Sequence, residues 1–188
     1  MVMRLGILAF DTARMTGWAY GGHGGARCFG SFQMPQTHDE VAPYLDFFER
    51  KLSALISMYN PTLIAFEAPL LIPGRDNPAK LAKLLGLCNA VELAAWRLGI
   101  PCRQASLAKI RTHFLGKGWP RESKRLKLLT KVKCRDLGWD VEDDNQADAL
   151  ALLDYMLALE QPAAAVTSTP LFRRKRKTRC RTEITNPI

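Results

Sequence analysis

Paired cysteines are missing from this chain of 188 residues. Its five cysteines, Cys28, Cys88, Cys102, Cys134 and Cys180, are odd in number and widely separated. No CxxC pair and no Cys/His cluster occurs, which argues against a zinc site and for free thiols in a reducing compartment. Long apolar runs are missing too. None approaches the roughly 18 residues that span a bilayer. The opening "MVMRLGILAFD" has a short apolar stretch that ends in an acid, unlike a secretory signal. A cytoplasmic chain with no membrane partner is therefore expected. No internal repeat occurs, which leaves little room for a two-repeat phosphotransferase fold. The glycines of "GGHGG" precede no helix start, so they read as a hairpin turn and not as a phosphate cradle.

Acidic residues are scarce at one end. Seven of the 27 Lys and Arg lie in "RRKRKTRCR", residues 173–181, while only Glu183 of the 18 acids lies beyond Phe172. The remaining 20 basic and 17 acidic residues leave the body close to neutral. A near-neutral body with a strongly basic end points to a polyanionic partner, nucleic acid before anionic membrane. An apolar content of 47% with 24% charged residues fits one domain with a sizeable core.

What is present reads as an α/β pattern. "RLGILAF", "TGWAYG" and "ARCFGSFQM" are strand-like, and "THDEVAPYLDFFERKLSALISMYN" has apolar residues at spacings of three and four. "TLIAFEAPL" is a buried-type fourth strand. A helix is expected over about 78–98 with Gly99 as its terminator, then a short strand "IPCRQA" and a short helix "SLAKIRTHFL" capped by Ser106. The "GKGWP" break precedes a basic helix, "RESKRLKLLTKVKCRDLG", and "NQADALALLDYMLALE" is a last amphipathic helix. Three sequential strands followed by crossovers predict a mixed five-stranded sheet with helices on both faces. Residues 1–160 are expected to form this domain, and 161–188 a Pro/Ala/Thr linker with a basic, disordered tail.

Two of these strands end on a carboxylate: Asp11 after "ILAF" and Glu67 after "LIAF". If the strands are neighbours, the two acids lie side by side and need a counter-charge. Asp148 interrupts the apolar face of the last helix. Asp144, four residues earlier, shares its face, as does Asn145 at three. Singly, each acid suits a turn, a strand end or a helix cap. Together, Asp11, Glu67, Asp144 and Asp148, with Asn145, make an oxygen-rich set suited to Mg²⁺, with Mn²⁺ as a substitute. Two such ions about 3.5–4 Å apart can serve phosphodiester hydrolysis.

The blocks "ILAFDTARMTGWA", "LIAFEAPL" and "DNQADALALL", joined by "KLAKLLGLCNAVELAAWRLGIPCRQASLAKIR" and "GKGWPRESK", resemble the RuvC-type Holliday-junction resolvases of the RNase H-like nuclease fold, the shorter bacteriophage members above all. The resemblance covers about residues 4–160. It implies a homodimer that binds four-way DNA junctions and cuts two strands of like polarity. It also implies two Mg²⁺ ions per site and 5′-phosphate and 3′-hydroxyl ends. A phage-encoded chain would act in the bacterial host cytoplasm. Asp11, Glu67 and Asp148 match the first-strand, fourth-strand and last-helix acids of the pattern. The position of the fourth acid holds Asn145, with Asp144 one step earlier, and either or both can touch the second metal. Where cellular members carry an aromatic after the fourth-strand acid, this chain has Leu70, Leu71 and Ile72 as wedge candidates.

Lys109, Arg111, Lys117 and Lys124 flank the "GKG" turn and suit DNA contact, Lys124 matching the lysine after the family's glycine turn. Arg121, Arg125, Lys127, Lys131 and Lys133 continue a basic stripe, and Arg173, Arg174 and Lys175 begin the tail. Thr12 and Arg14 are expected near a bound phosphate. His113 reads as a structural or phosphate-contacting residue before a general base. The surplus apolar residues of the 78–98 helix, Leu81, Leu84, Leu85, Leu87, Cys88, Val91, Leu93, Ala94 and Ala95, point to a two-fold interface. The reading is a Mg²⁺-dependent endonuclease that resolves four-way junctions. The alternatives are a broader nuclease of branched DNA or RNA–DNA hybrids, and a non-catalytic junction-binding protein on the same scaffold.

Overall fold

A computed structural model describes residues 5–22, 25–69, 77–120 and 122–161. The five strands are β1 (Ile7–Asp11), β2 (Met15–Gly21), β3 (Cys28–Gln33), β4 (Leu63–Glu67) and β5 (Cys102–Ala105). They form one sheet in the order β3-β2-β1-β4-β5. β1 pairs antiparallel with β2, and β2 with β3, whereas β4 lies parallel to both β1 and β5. The expected mixed sheet is therefore present, with the two acid-tipped strands β1 and β4 adjacent at its centre.

Strand periodicity divides the core in two. Leu8, Phe10, Trp18, Ile64 and Phe66 face α1 (Ala42–Tyr59) and α2 (Pro78–Arg97). Ile7, Ala9, Ala19, Leu63 and Ala65 face the opposite layer, α3 (Leu107–Leu115), α4 (Ser123–Asp136) and α5 (Asp144–Glu160). One face is thus lined by large side chains and the other largely by small ones. Phe10, Phe48 and Phe66 are fully buried in the first layer, each contributing about 1.5–3 kcal/mol by leaving water. The small residues on the second face let α5 lie close to the sheet.

Helix α1 starts later than its polar leader predicts. Residues 37–40 form a turn closed by the Glu40 amide donating to the Thr37 carbonyl at 2.8 Å and braced by Thr37 Oγ1 donating to the Glu40 carbonyl at 2.6 Å, and Pro43 occupies the first turn of the helix. Asn60 in the left-handed region ends it. Helix α2 is capped by Asn77, whose side chain accepts from the Ala79 amide at 2.8 Å. It ends before Gly99, whose φ of +65° marks the expected terminator. Ser106 holds the N-cap position of α3 but makes no side-chain capping bond, contrary to expectation. Asp143 caps α5, accepting from the Asn145 and Gln146 amides. Among the described residues no helix is long and apolar enough to cross a membrane. Leu70, Leu71, Ile72, Arg121, Arg173, Arg174, Lys175 and the 162–188 segment lie outside the described residues.

Candidate active site

Asp11 and Glu67 each stand one residue beyond the paired Phe10 and Phe66 of neighbouring parallel strands. The alternation that sends Phe10 and Phe66 toward α1 and α2 sends both acids toward α5. The third acid comes from that helix. Asp148 lies one turn into α5, among the buried Ala147, Ala149, Leu150 and Ala151. Access for α5 depends on Gly17, which pairs with Asp11 across the β1–β2 ladder. A Cβ on Gly17 would lie 2.0 Å from the Asn145 carbonyl oxygen, so only glycine admits the first turn of α5 at this depth. This packing puts Asp148 within electrostatic reach of Asp11 and Glu67.

All three acids remain partly accessible, yet burial and mutual repulsion disfavour their charge. Asp11 is held well above the usual carboxylate range, first by burial, then by Asp148 and Glu67. Glu67 is pushed up to about 7 by burial and by Asp148, against the attraction of Arg111. Asp148 rises to about 6, mainly through burial, with Arg111 and Lys127 opposing the shift. Arg111 and Lys127 therefore offset only part of the burial and repulsion that the three acids carry. Among the described residues no group of three or more His, Cys, Asp and Glu side chains is gathered closely enough to hold a metal ion as it stands. A small pocket next to the acids is lined by Glu67, Arg111, Thr130 and Asp148, with Leu115 and Phe114 at its apolar side.

Asp144 has a different setting. Its carboxylate pairs with Lys131 Nζ at 2.8 Å and Lys127 Nζ at 3.2 Å, and these lysines hold its pKa below the ordinary value. Asn145 gives its Nδ2 to Asp143 Oδ1 at 3.4 Å. Asp143 also accepts from Ser31 Oγ of β3, which ties the cap of α5 to the sheet edge. Thr12, beside Asp11, is buried and lies 3.5 Å from Cys88 Sγ of α2, while Arg14 is exposed.

The basic residues separate into two groups. Arg111 and Lys127 act on the acid cluster directly, Arg111 on Glu67 and Asp148, Lys127 on Asp11 and Asp148. The sequence placed Arg111 among the DNA-contact residues flanking the "GKG" turn and Lys127 in the basic stripe; the ridge of α4 against α5, which brings Lys127 to Asp144, is a tertiary contact with no local signal. Lys109, Lys117, Lys124 and Arg125 are exposed on the same layer. His113 places Nε2 3.2 Å from Asp154 Oδ2 and its ring against Tyr155. On α2, Leu87, Cys88, Ala90, Val91 and Ala95 are buried, whereas Leu93, Trp96 and Leu98 at its C-terminal end are 41%, 80% and 58% exposed. Trp96 was not among the apolar residues singled out from the sequence.

No family model and no curated protein sequence matches the chain. Solved structures do. RuvC of Thermus thermophilus is similar over 84% of this chain and 97% of its own, with a TM-score of 0.65 at 14% identity. Thermus thermophilus RuvC in complex with a Holliday junction substrate matches over 85% of this chain and 96% of its own, with a TM-score of 0.62 at 12% identity. The yeast mitochondrial Holliday junction resolvase Ydc2 matches over 86% and 80%, with a TM-score of 0.55 at 11% identity. The chain has the RuvC-type, RNase H-like fold.

Proposed function

We propose that the chain is a divalent-metal-dependent endonuclease that resolves four-way DNA junctions. The observation that carries this reading is the convergence of Asp11, Glu67 and Asp148 from two strand ends and one helix into a partly accessible, charge-deficient cluster. A cluster of three desolvated carboxylates that raise one another's pKa fits hard divalent cations. Mg²⁺ keeps several waters and binds through few carboxylates together with substrate phosphates, so a closed protein cage is not required.

Asp11, Glu67 and Asp148 would hold two Mg²⁺ ions, with Mn²⁺ able to substitute. Asp144 or Asn145 would add an oxygen on release from Lys127 and Lys131 or from Asp143. Bound cations would supply Lewis-acid stabilisation of charge on the phosphate. The chain's own residues position and balance charge. Strands β1 and β4 fix two carboxylates rigidly, and α5 fixes the third. Arg111 and Lys127 lie where they can meet a phosphate entering beside the acids. Water adds to phosphorus as the bond to O3′ breaks, leaving a 5′-phosphate and a 3′-hydroxyl. Lys109, Lys117, Lys124 and Arg125 would hold the flanking backbone, and Arg173, Arg174 and Lys175 of the tail would add affinity without sequence readout. Residues 1–160 are proposed as the nuclease domain. Paired cuts need two sites, and the exposed Leu93, Trp96 and Leu98 of α2 support a homodimer through that helix.

The thermophilic RuvC neighbour was solved with a Holliday junction substrate, which favours branched DNA as substrate here. The test compares a synthetic four-way junction, a fork, a linear duplex and an RNA–DNA hybrid, with Mg²⁺ or Mn²⁺. Symmetric paired nicks in the junction are expected, lost in Asp11→Asn and Asp148→Asn while junction binding in Ca²⁺ persists. Equal or faster cutting of the hybrid would replace the substrate assignment. No cutting of any substrate, with binding retained, would make the chain a junction-binding protein.

A further inference from the structure

The "GKGWP" segment between α3 and α4 has no part in the acid cluster, yet it builds one wall of an open groove. Gly116 and Gly118 take φ values of +86° and +83°, which non-glycine residues rarely adopt. The resulting bend sets Trp119 over the surface of α4. Between them runs an open groove of about 540 Å³, with Leu115, Trp119, Leu129 and Val132 along its apolar floor. Leu129 and Val132 remain 38% and 40% exposed, so the fold itself leaves this surface uncovered. Lys117, Arg125 and Lys133 line the groove against one acid, Asp136.

Two features connect the groove to the acids. Leu115 lines both the groove and the small pocket holding Glu67 and Asp148. Arg111, which lines that pocket, places its guanidinium 5.5 Å from the centroid of the Trp119 ring. The indole Nε1 donates to Thr112 Oγ1 at 3.4 Å, which orients the ring within the groove's lining. An indole with a basic surround and an apolar floor, contiguous with the acids, has the chemistry of a base-stacking site. Aromatic rings stack any base, and flanking cations take the phosphates. A groove of this size accommodates one or two nucleotides. An acidic peptide would also suit the charge, but nothing in that reading accounts for the contiguity with the acids.

We propose that this groove binds an unpaired nucleotide of the DNA substrate, with its base against Trp119 and its phosphates on Lys117, Arg125 and Lys133. The proposal rests on the nuclease reading above and adds to it a preference for DNA with an extruded base next to the cut.

The experiment uses the full chain with Ca²⁺ and three duplexes: fully paired, with one bulged 2-aminopurine, and with a bulged abasic site. Wild type is expected to bind the 2-aminopurine duplex most tightly and to quench its fluorescence. Trp119→Ala should lose about tenfold in affinity for that duplex, lose the quenching, and leave the paired and abasic duplexes unchanged. Trp119→Phe should restore most of both signals, which separates stacking from a folding defect. Unchanged affinity and quenching in Trp119→Ala, in a chain that still cuts four-way junctions, overturns the groove assignment and leaves the nuclease reading intact. A chain that neither binds nor cuts any of these DNAs removes both. A change in oligomeric mass in Trp119→Ala, with base binding unaffected, assigns the groove to protein contact and also overturns the proposal.

Discussion

Glu67→Gln should stabilise the metal-free protein at alkaline pH. In the fold the carboxyl sits at about 7 against an ordinary value of 4.5, through burial and the charge of Asp148. That displacement corresponds to about 3 kcal/mol of penalty for keeping Glu67 ionised above pH 7. The side chain stays partly accessible, and a buried glutamine amide also loses hydration. A net gain of about 1–2 kcal/mol remains, or a Tm higher by about 2–8 °C for a domain of this size. The sign follows from proton binding. Between pH 4.5 and 7 the folded state holds more protons than the unfolded one. Stability therefore rises as pH falls through 7 and levels off below 4.5. Asp148, at about 6, acts in the same direction. Asp144, whose pKa is lowered, acts oppositely, but only at more acid pH. Thermal melts in EDTA at pH 8 and pH 5.5 check this: the advantage of Glu67→Gln should be clear at pH 8 and shrink at pH 5.5. Adding Mg²⁺ at pH 8 should raise the wild-type Tm more than that of the variant. A variant less stable than wild type at pH 8, or a gain equal at both pH values, would refute the charge-deficit argument.

Gly17→Ala should lower stability by about 2 kcal/mol or more and impair cleavage disproportionately, because its Cβ would drive the first turn of α5 off the sheet; melts and cleavage rates at saturating Mg²⁺ measure the two effects. Trp96→Glu should convert the proposed dimer to a monomer, read by sedimentation, and abolish paired nicking while sparing single nicks. Removal of residues 173–188 should weaken junction binding and flatten its salt dependence, with the cleavage rate at saturating enzyme unchanged; affinity titrations at several salt concentrations decide this.

Much of the architecture was readable because period and punctuation agree locally. Tyr44, Phe48, Leu52, Leu55 and Ile56 recur as one helical face and are all buried. "ILAFD" and "LIAFE" read as strands carrying acids at their ends, and the register of β1 with β4 sets those ends side by side. The start of α1 lies later than expected because residues 37–40 close a turn of their own, by a backbone bond that the Thr37 hydroxyl braces, within a polar stretch that also suits a helix. The roles of Arg111, Lys127 and Gly17 were not legible. Each depends on how α3, α4 or β2 meets a partner far away in sequence, and a lysine in a basic helix looks the same whether it faces Asp144 or water. Trp96 was hidden for the converse reason: sequence apolarity does not reveal which part of a helix the core leaves uncovered.

The three acids stand at positions 11, 67 and 148, and the last rides on the final described helix. A chain emerging from the ribosome can lay down β1 to β5 and still lack Asp148. Domains of this kind fold as units once their contacts are complete. If the chain is the nuclease proposed above, its capacity to cut DNA arrives only when α5 docks over Gly17. Truncated or half-folded copies would carry basic surface without the chemistry, and a cell would be spared stray incisions by proteins still under construction.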